Sequence, residues 1–310
     1  MSEDQLKNLR DELDTIDVEI QNLLTRRAEI SLEVKRVKQD GEVKLKPGRE
    51  AQILRALIER HHGHFPKPEL IRIWREILSA SLQAQGPFSV GVYAPEDKKN
   101  GDDDSWGYFA AARGHFGTYT QMTCYASQRR VIEAVIADEC SVGILPLPDR
   151  QEDDPWWRYL AVQESNGGSR PPRIISRLPF VNPIDLNGRS ISNALDCLVI
   201  AKSEVDPSGA DCSYFVLDLA ENILSSKIDA KLVENGMEGA VVTTWHNDQA
   251  PERWLTLIKA EDLILPDDEK FGRLIEEFDD QLNQATILGG YAVPIGADAL
   301  APNKNNGNTG

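Results

Sequence analysis

Only four of the 310 residues are cysteine, and Cys124, Cys140, Cys197 and Cys212 are scattered, with no CxxC pair and no histidine at ligand spacing. That excludes a disulfide scaffold and a zinc site as organising features, and buried thiols are expected. Long apolar runs are missing too. None nears the roughly 20 residues needed to cross a bilayer, and the N-terminus is charged helix rather than a basic-then-apolar leader, so a cytoplasmic protein is expected. Positive charge is scarce, with 34 Lys+Arg against 50 Asp+Glu and a net charge of −16. Phosphate and anionic membrane surfaces require clustered cations, so neither a nucleic acid nor a membrane is an expected partner. The length allows two or three domains.

The charge is unevenly spread. Residues 1–85 hold 15 basic and 15 acidic residues, so the rest of the chain carries all of the −16. Within this neutral head, Leu6, Leu9, Leu13, Ile16, Ile20, Leu23, Ile30, Val34 and Val37 recur at three- and four-residue steps, and Arg27 stands where the next apolar residue is due. The pattern predicts one helix of roughly 33 residues, about 50 Å long, stopping near Gly41. A lone domain of 85 residues is only about 25–30 Å across. An intertwined helical homodimer that covers the seam is therefore expected.

Two more helices are expected in the head, from Arg49 to about His61 and from about Pro68 to Gln85, separated by Gly63 and Pro66-Lys-Pro68. Each sets polar groups into its apolar face: Arg27 in the first, Glu50 in the second, Ser81 and Gln85 in the third. Lys38 lies eleven residues, close to three turns, beyond Arg27 on nearly the same face. A polar group in an apolar seam needs a partner. One reading is structural, with Arg27 paired to Glu50 inside the bundle. The other is a small anionic ligand held between helices.

The stretches Leu9-Arg10-Asp11-Glu12, Leu23-Leu24-Thr25-Arg26-Arg27, Val34-Lys35-Arg36-Val37-Lys38, Pro47-Gly48-Arg49-Glu50 and Ser79-Ala80-Ser81-Leu82-Gln83-Ala84-Gln85 resemble the all-helical chorismate mutase family in order and spacing. The resemblance implies that Arg27 and Arg49, with Arg10 from the other subunit, bind the two carboxylates of chorismate. It implies further that Lys38 and Gln85 donate to the ether oxygen, that Glu50 binds the ring hydroxyl, and that Ser81 lines the pocket. Where the family often has an acidic residue in the loop, this chain has Lys46, which leaves the hydroxyl to Glu50. The sister activity of this fold, isochorismate-pyruvate lyase, is an alternative, and the Lys38/Gln85 pair favours the mutase. No cofactor and no metal are expected, because a pericyclic rearrangement needs neither.

Beyond Gly86-Pro87 the pattern alternates strands and helices. From Cys212 onward it reads βαββαβ, a ferredoxin-like order. Phe109-Ala-Ala-Ala-Arg-Gly-His-Phe-Gly117, Val142-Gly-Ile-Leu-Pro146, Asn193 with Leu198-Val-Ile200, and Ile287-Leu-Gly-Gly-Tyr291 resemble the prephenate dehydratase family with its C-terminal ACT-type domain. This chain has Leu195-Asp196-Cys197 where that family has Thr-Arg-Phe, and Pro148-Asp149-Arg150 where it has Glu-Asn-Ser. The effector motifs Gly-Ala-Leu and Glu-Ser-Arg-Pro are not found. The resemblance therefore implies an inactive dehydratase-like body with a degenerate ACT-like end.

The expected organisation is multidomain: an all-α three-helix chorismate mutase domain (1–86, an intertwined dimer), an α/β prephenate dehydratase-like domain (87–205), an α+β ferredoxin-like, ACT-like domain (206–296), and a disordered tail (297–310). The expected function is conversion of chorismate to prephenate in phenylalanine and tyrosine synthesis, with an aromatic amino acid as a possible effector. The alternatives are a bifunctional mutase–dehydratase and a non-catalytic regulatory protein that uses the head to dimerise. His61, His62 and His64 read as solvated loop residues, Trp156-Trp157 as a loop anchor to the core, and Asp102-Asp103-Asp104 as a solvated turn. Sedimentation at micromolar concentration is expected to give twice the chain mass; a stable monomer would refute the dimer.

Overall fold

The computed structural model describes residues 3–37, 45–95, 104–150, 152–161, 171–181, 195–247 and 250–300. Lys38, the expected stop at Gly41, the Asp102-Asp103 pair, Asn193 and the part of the expected disordered tail from Ala301 lie outside the described residues; the first four residues of that tail, Ala297–Leu300, form a short helix with Leu300 buried.

The head is three helices, α1 (Glu3–Val37), α2 (Pro47–Arg60) and α3 (Lys67–Gln85). Acidic Glu3 and Asp4 in the first turn of α1 and basic Lys35 and Arg36 in its last complement the helix dipole. Pro stands in the first turn of both α2 and α3, where its missing N–H costs nothing. α1 touches α3 through its C-terminal part, where Arg27, Ala28, Ser31, Leu32 and Lys35 are half-buried, and it has no buried residue. Its apolar seam stands open: Leu13 is 60% exposed and Leu23 69%.

Among the described residues the body is built on one nine-stranded sheet. Its first part comprises β1 (Ser89–Tyr93), α4 (Asp104–Phe116), β2 (Gln121–Tyr125), α5 (Gln128–Ile136), β3 (Val142–Pro146), α6 (Arg158–Ala161), β4 (Arg173–Leu178) and β5 (Cys197–Ala201). The second part comprises β6 (Asp211–Leu219), α7 (Ser225–Glu234), β7 (Gly239–Asn247), β8 (Ala250–Ala260), α8 (Glu269–Glu276) and β9 (Leu282–Ala292). The spatial order is β2-β1-β3-β5-β4-β9-β6-β8-β7. β2, β1 and β3 run parallel, whereas β6 is paired antiparallel with both β8 and β9. Ser127 caps α5, accepting from the Arg130 N–H at 3.3 Å.

Two boundaries differ from the sequence pattern. The apolar pattern predicts a helix from Glu269 to about Leu282, but α8 ends at Glu276, because Asp279–Gln281 forms a 3-10 turn, and β9 begins at Leu282. The polar start of β9 is held to its neighbours by Asn283, which donates to Asp218 and to the Glu252 carbonyl. Cys124 corrects the expectation of four buried thiols. It is exposed because β2 is an edge strand, while Cys140, Cys197 and Cys212 are buried. Trp156 and Trp157 are both fully buried, with the Trp156 indole donating to the Pro146 carbonyl at 3.2 Å.

The two parts of the body meet where β4 pairs in parallel with β9 at Ile174 and Gly289. Gly289 has φ +125, and a Cβ there would lie 2.2 Å from the Ile174 carbonyl oxygen. Only glycine permits both the backbone conformation and the close approach. One apolar core runs beneath this join, including Trp156, Trp157, Ile174 and Leu198 from the first part and Val216, Leu257, Leu288 and Tyr291 from the second. A smaller core ties Ala51, Leu54, Ile58 and Ile71 of the head to Phe180, Ala292, Ile295 and Leu300 of the body. Gly289→Ala is expected to destabilise the protein by about 2 kcal/mol or more, seen as a lower urea midpoint; an unchanged midpoint would show that the join tolerates a side chain.

Candidate active site in the helical head

The site lies where α1, α2 and α3 converge. Arg27 of α1 donates from Nη1 to the Ser81 hydroxyl at 2.7 Å, and Ser81 in turn donates to the Ile77 carbonyl one turn back at 2.8 Å. Arg27 is half-buried, which pushes its pKa down, and the Glu50 carboxylate nearby pushes it up. Glu50, in the first turn of α2, accepts from Arg75 Nη1 at 2.8 Å. Burial raises the Glu50 pKa and lowers that of Arg75, and the charge of each partner opposes the shift. Arg27, Glu50 and Ser81, drawn from three helices, thus form one polar cluster.

The remaining predicted residues fall around it. Arg49 follows the same turn of α2 but points outward, donating to Gln52 at 3.3 Å. The Gln85 carbonyl accepts from the Lys35 ammonium, tying the end of α3 to α1. Arg10 is exposed on the distal part of α1; the helical rise between residues 10 and 27 is about 25 Å. Arg10 cannot reach the cluster of its own chain. Lys38 lies outside the described residues.

The structural alternative of an Arg27–Glu50 pair is replaced by two separate links, Arg27 to Ser81 and Glu50 to Arg75. Arg75 was not among the predicted site residues, although a signal existed: the buried residues of α3 are Ile71, Arg75, Ser79 and Leu82, a helical stripe with a cation inside it. The residues that contact Arg75 from the body had no local signal. His115, at the end of α4, places Nε2 3.5 Å from Arg75 Nη1, and the Phe180 ring centroid lies 5.2 Å from the guanidinium carbon. Burial, and then the charge of Arg75, push the His115 pKa well below its usual value. A guanidinium can only donate, so this neutral imidazole offers Nε2 as the acceptor.

The helix carrying Arg49 and Glu50 is capped from the body. Lys46, at the N-cap, makes no side-chain cap bond. Instead the Asp206 carboxylate accepts from the backbone N–H groups of Gly48 at 3.2 Å and Arg49 at 3.1 Å. A carboxylate at a helix N-terminus satisfies unpaired donors and complements the dipole.

In the body, Asp196 lies 3.5 Å from Arg177 Nη2 on the adjacent strand. Pro148, Asp149 and Arg150 line a cavity of about 690 Å³ together with Glu238, Lys259 and Glu261, a lining of mixed charge. His61 contacts the Phe65 carbonyl at 2.6 Å on the surface. Among the described residues no group of three His, Cys, Asp or Glu could hold a metal ion, and no helix is long and apolar enough to cross a membrane.

Residues 9–86 match the family described as Chorismate mutase type II, so the head carries a chorismate mutase type II domain. Similar proteins include the bifunctional chorismate mutase/prephenate dehydratase of Stutzerimonas stutzeri, 34% identical over 161 residues, which are 49% of this chain and 41% of that protein. The protein of the same description from Neisseria gonorrhoeae is 24% identical over 301 residues, 94% of this chain and 66% of that one. The chain thus spans less than half the length of the first of these relatives in the matched region. Among solved structures, prephenate dehydratase from Streptococcus mutans is similar with a TM-score of 0.44 and 12% identity, over 66% of this chain and 97% of that one. The prephenate dehydratase of Arthrobacter aurescens, in complex with L-Phe, gives 0.45 and 12%, over 68% and 91%.

Arg75→Leu leaves Glu50 buried without its cation and is expected to cost about 3–5 kcal/mol. Arg75→Leu/Glu50→Leu is expected to regain most of that in urea titrations; a double variant as unstable as the single one would show that the pair itself is not the cause.

Proposed function

We propose that the protein is a chorismate mutase acting as a dimer through its head. The observation that carries this reading is the gathering of Arg27, Ser81 and Glu50 at one helical junction within a chorismate mutase type II domain. Rearrangement of chorismate to prephenate is intramolecular, so the protein has to hold the substrate compactly and stabilise charge as the C–O bond breaks. In this reading Arg27 and Arg49 fork onto the substrate carboxylates and the partner's Arg10 completes the set. Lys38 and Gln85 donate to the ether oxygen as it gains negative charge. Glu50, with one oxygen on Arg75, accepts from the ring hydroxyl through the other, and Ser81 keeps the Arg27 fork in place.

Two features support the dimer. The apolar seam of α1 is open along its length, and Arg10 lies too far from Arg27 to serve the same site in one chain. The body is read as a dehydratase-like region, 87–205, and an ACT-like region, 206–296, without dehydration chemistry, since Asp196 stands paired to Arg177 where the dehydratase family presents a free cation. The second reading, a bifunctional mutase–dehydratase, is favoured by the description of the relatives.

One assay separates these readings: full-length protein supplied with chorismate, with and without phenylalanine, tyrosine or tryptophan. Prephenate as the end product is expected, and phenylpyruvate would establish the second reading. Lys38→Ala and Arg27→Ala are each expected to lower kcat/KM about a hundredfold, and near-normal turnover in either would refute the assignment.

A further inference from the structure

Glu50 takes its hydrogen bond from Arg75 of the head and feels the charge of Asp206 in the body, and two further contacts that hold it in place come from the body. The first is at the start of α2. Asp206 caps the turn that carries Arg49 and Glu50, and the body chain lies directly against that turn: a Cβ on Gly48 would stand 2.2 Å from the Asp206 carbonyl oxygen and 2.9 Å from that of Pro207. The second is behind the carboxylate. Arg75, which holds Glu50, is itself fixed by His115 on one side and the face of Phe180 on the other. Removing these contacts would open the Arg75–Glu50 pair to water and free the first turn of α2.

Resting on the mutase reading above, we propose that the α/β body positions the head's own active site: Asp206 and His115 are positioning residues that set Glu50 for the substrate's ring hydroxyl. The body is then a working wall of the mutase, whatever other chemistry it has or lacks. Small displacements of a positioned group carry large rate penalties, because the bound geometry has to match the reacting conformer. Gly48→Ala sharpens the test, since alanine favours the helix itself while its methyl group drives the body chain away. Any loss it causes comes from the docking.

The test is steady-state chorismate consumption by the full chain in Gly48→Ala, Asp206→Asn and His115→Leu, each alone and combined with Glu50→Gln. Each single variant is expected to lower kcat/KM about tenfold. In the Glu50→Gln background the further loss is expected to shrink below about twofold, because the positioned group is already gone. His115→Gln, which keeps an acceptor near the Nε2 position, is expected to restore most of the activity that His115→Leu loses. Amide exchange supplies a readout independent of turnover: Gly48 and Arg49 should exchange faster in the near-isosteric Asp206→Asn, with the rest of α2 unchanged. Full activity in the single variants, or losses that multiply undiminished with Glu50→Gln, would overturn this inference alone. A wild-type chain that leaves chorismate unconverted would overturn the mutase reading and this inference together.

Discussion

The Arg75–Glu50 ion pair is the interaction around which head and body are organised. Two opposite charges taken out of water lose several kcal/mol of hydration each, and only close contact with further hydrogen bonds compensates. Here the contact is 2.8 Å, and the cation is enclosed by a neutral imidazole and an aromatic face supplied by the body. Neither unit encloses the pair alone. The smaller apolar core, which joins Ile71 of α3 to Phe180 and Ile295, adjoins this polar centre, since the Phe180 ring belongs to that core and also faces Arg75.

The distribution of charge follows from the same arrangement. The head sets Arg27 and Arg75 at the helical junction, and the acidic body meets it with a carboxylate at the start of α2. Arg55 adds a second anchor, its guanidinium donating to the carbonyls of Ser208, Ala210 and Val293 at 2.8–3.1 Å. A net charge of −16 therefore describes a surface average, whereas the contact between the two units is a set of matched pairs.

The helices of the head and the βαββαβ order of the second part of the body were legible in the sequence, because periodicity and Gly/Pro punctuation are local signals. So was the cluster of Arg27, Glu50 and Ser81, polar residues set into apolar faces. The partners of that cluster were not. Asp206 lies 158 residues from Gly48, and His115 lies 40 from Arg75; nothing in the pattern around either announces a contact that only the packed sheet creates. The start of β9 was missed for a related reason. Asn283 and Gln284 are polar, and they belong to a strand because β6 offers its backbone along that length.

The open seam of α1 bears on when the helix exists at all. Most helical stability in proteins comes from packing an apolar face, and an uncovered helix has only its backbone bonds and residue propensities to hold it in water. Residues 3–26 are exposed throughout, so within a single chain that segment opens at lower cost than the packed end of the helix. The covered end of the same helix carries Arg27. Order at Arg27 and cover on the far half of α1 are thus two ends of one helix–coil equilibrium, and whatever lies down on the seam also steadies the end that carries the cation.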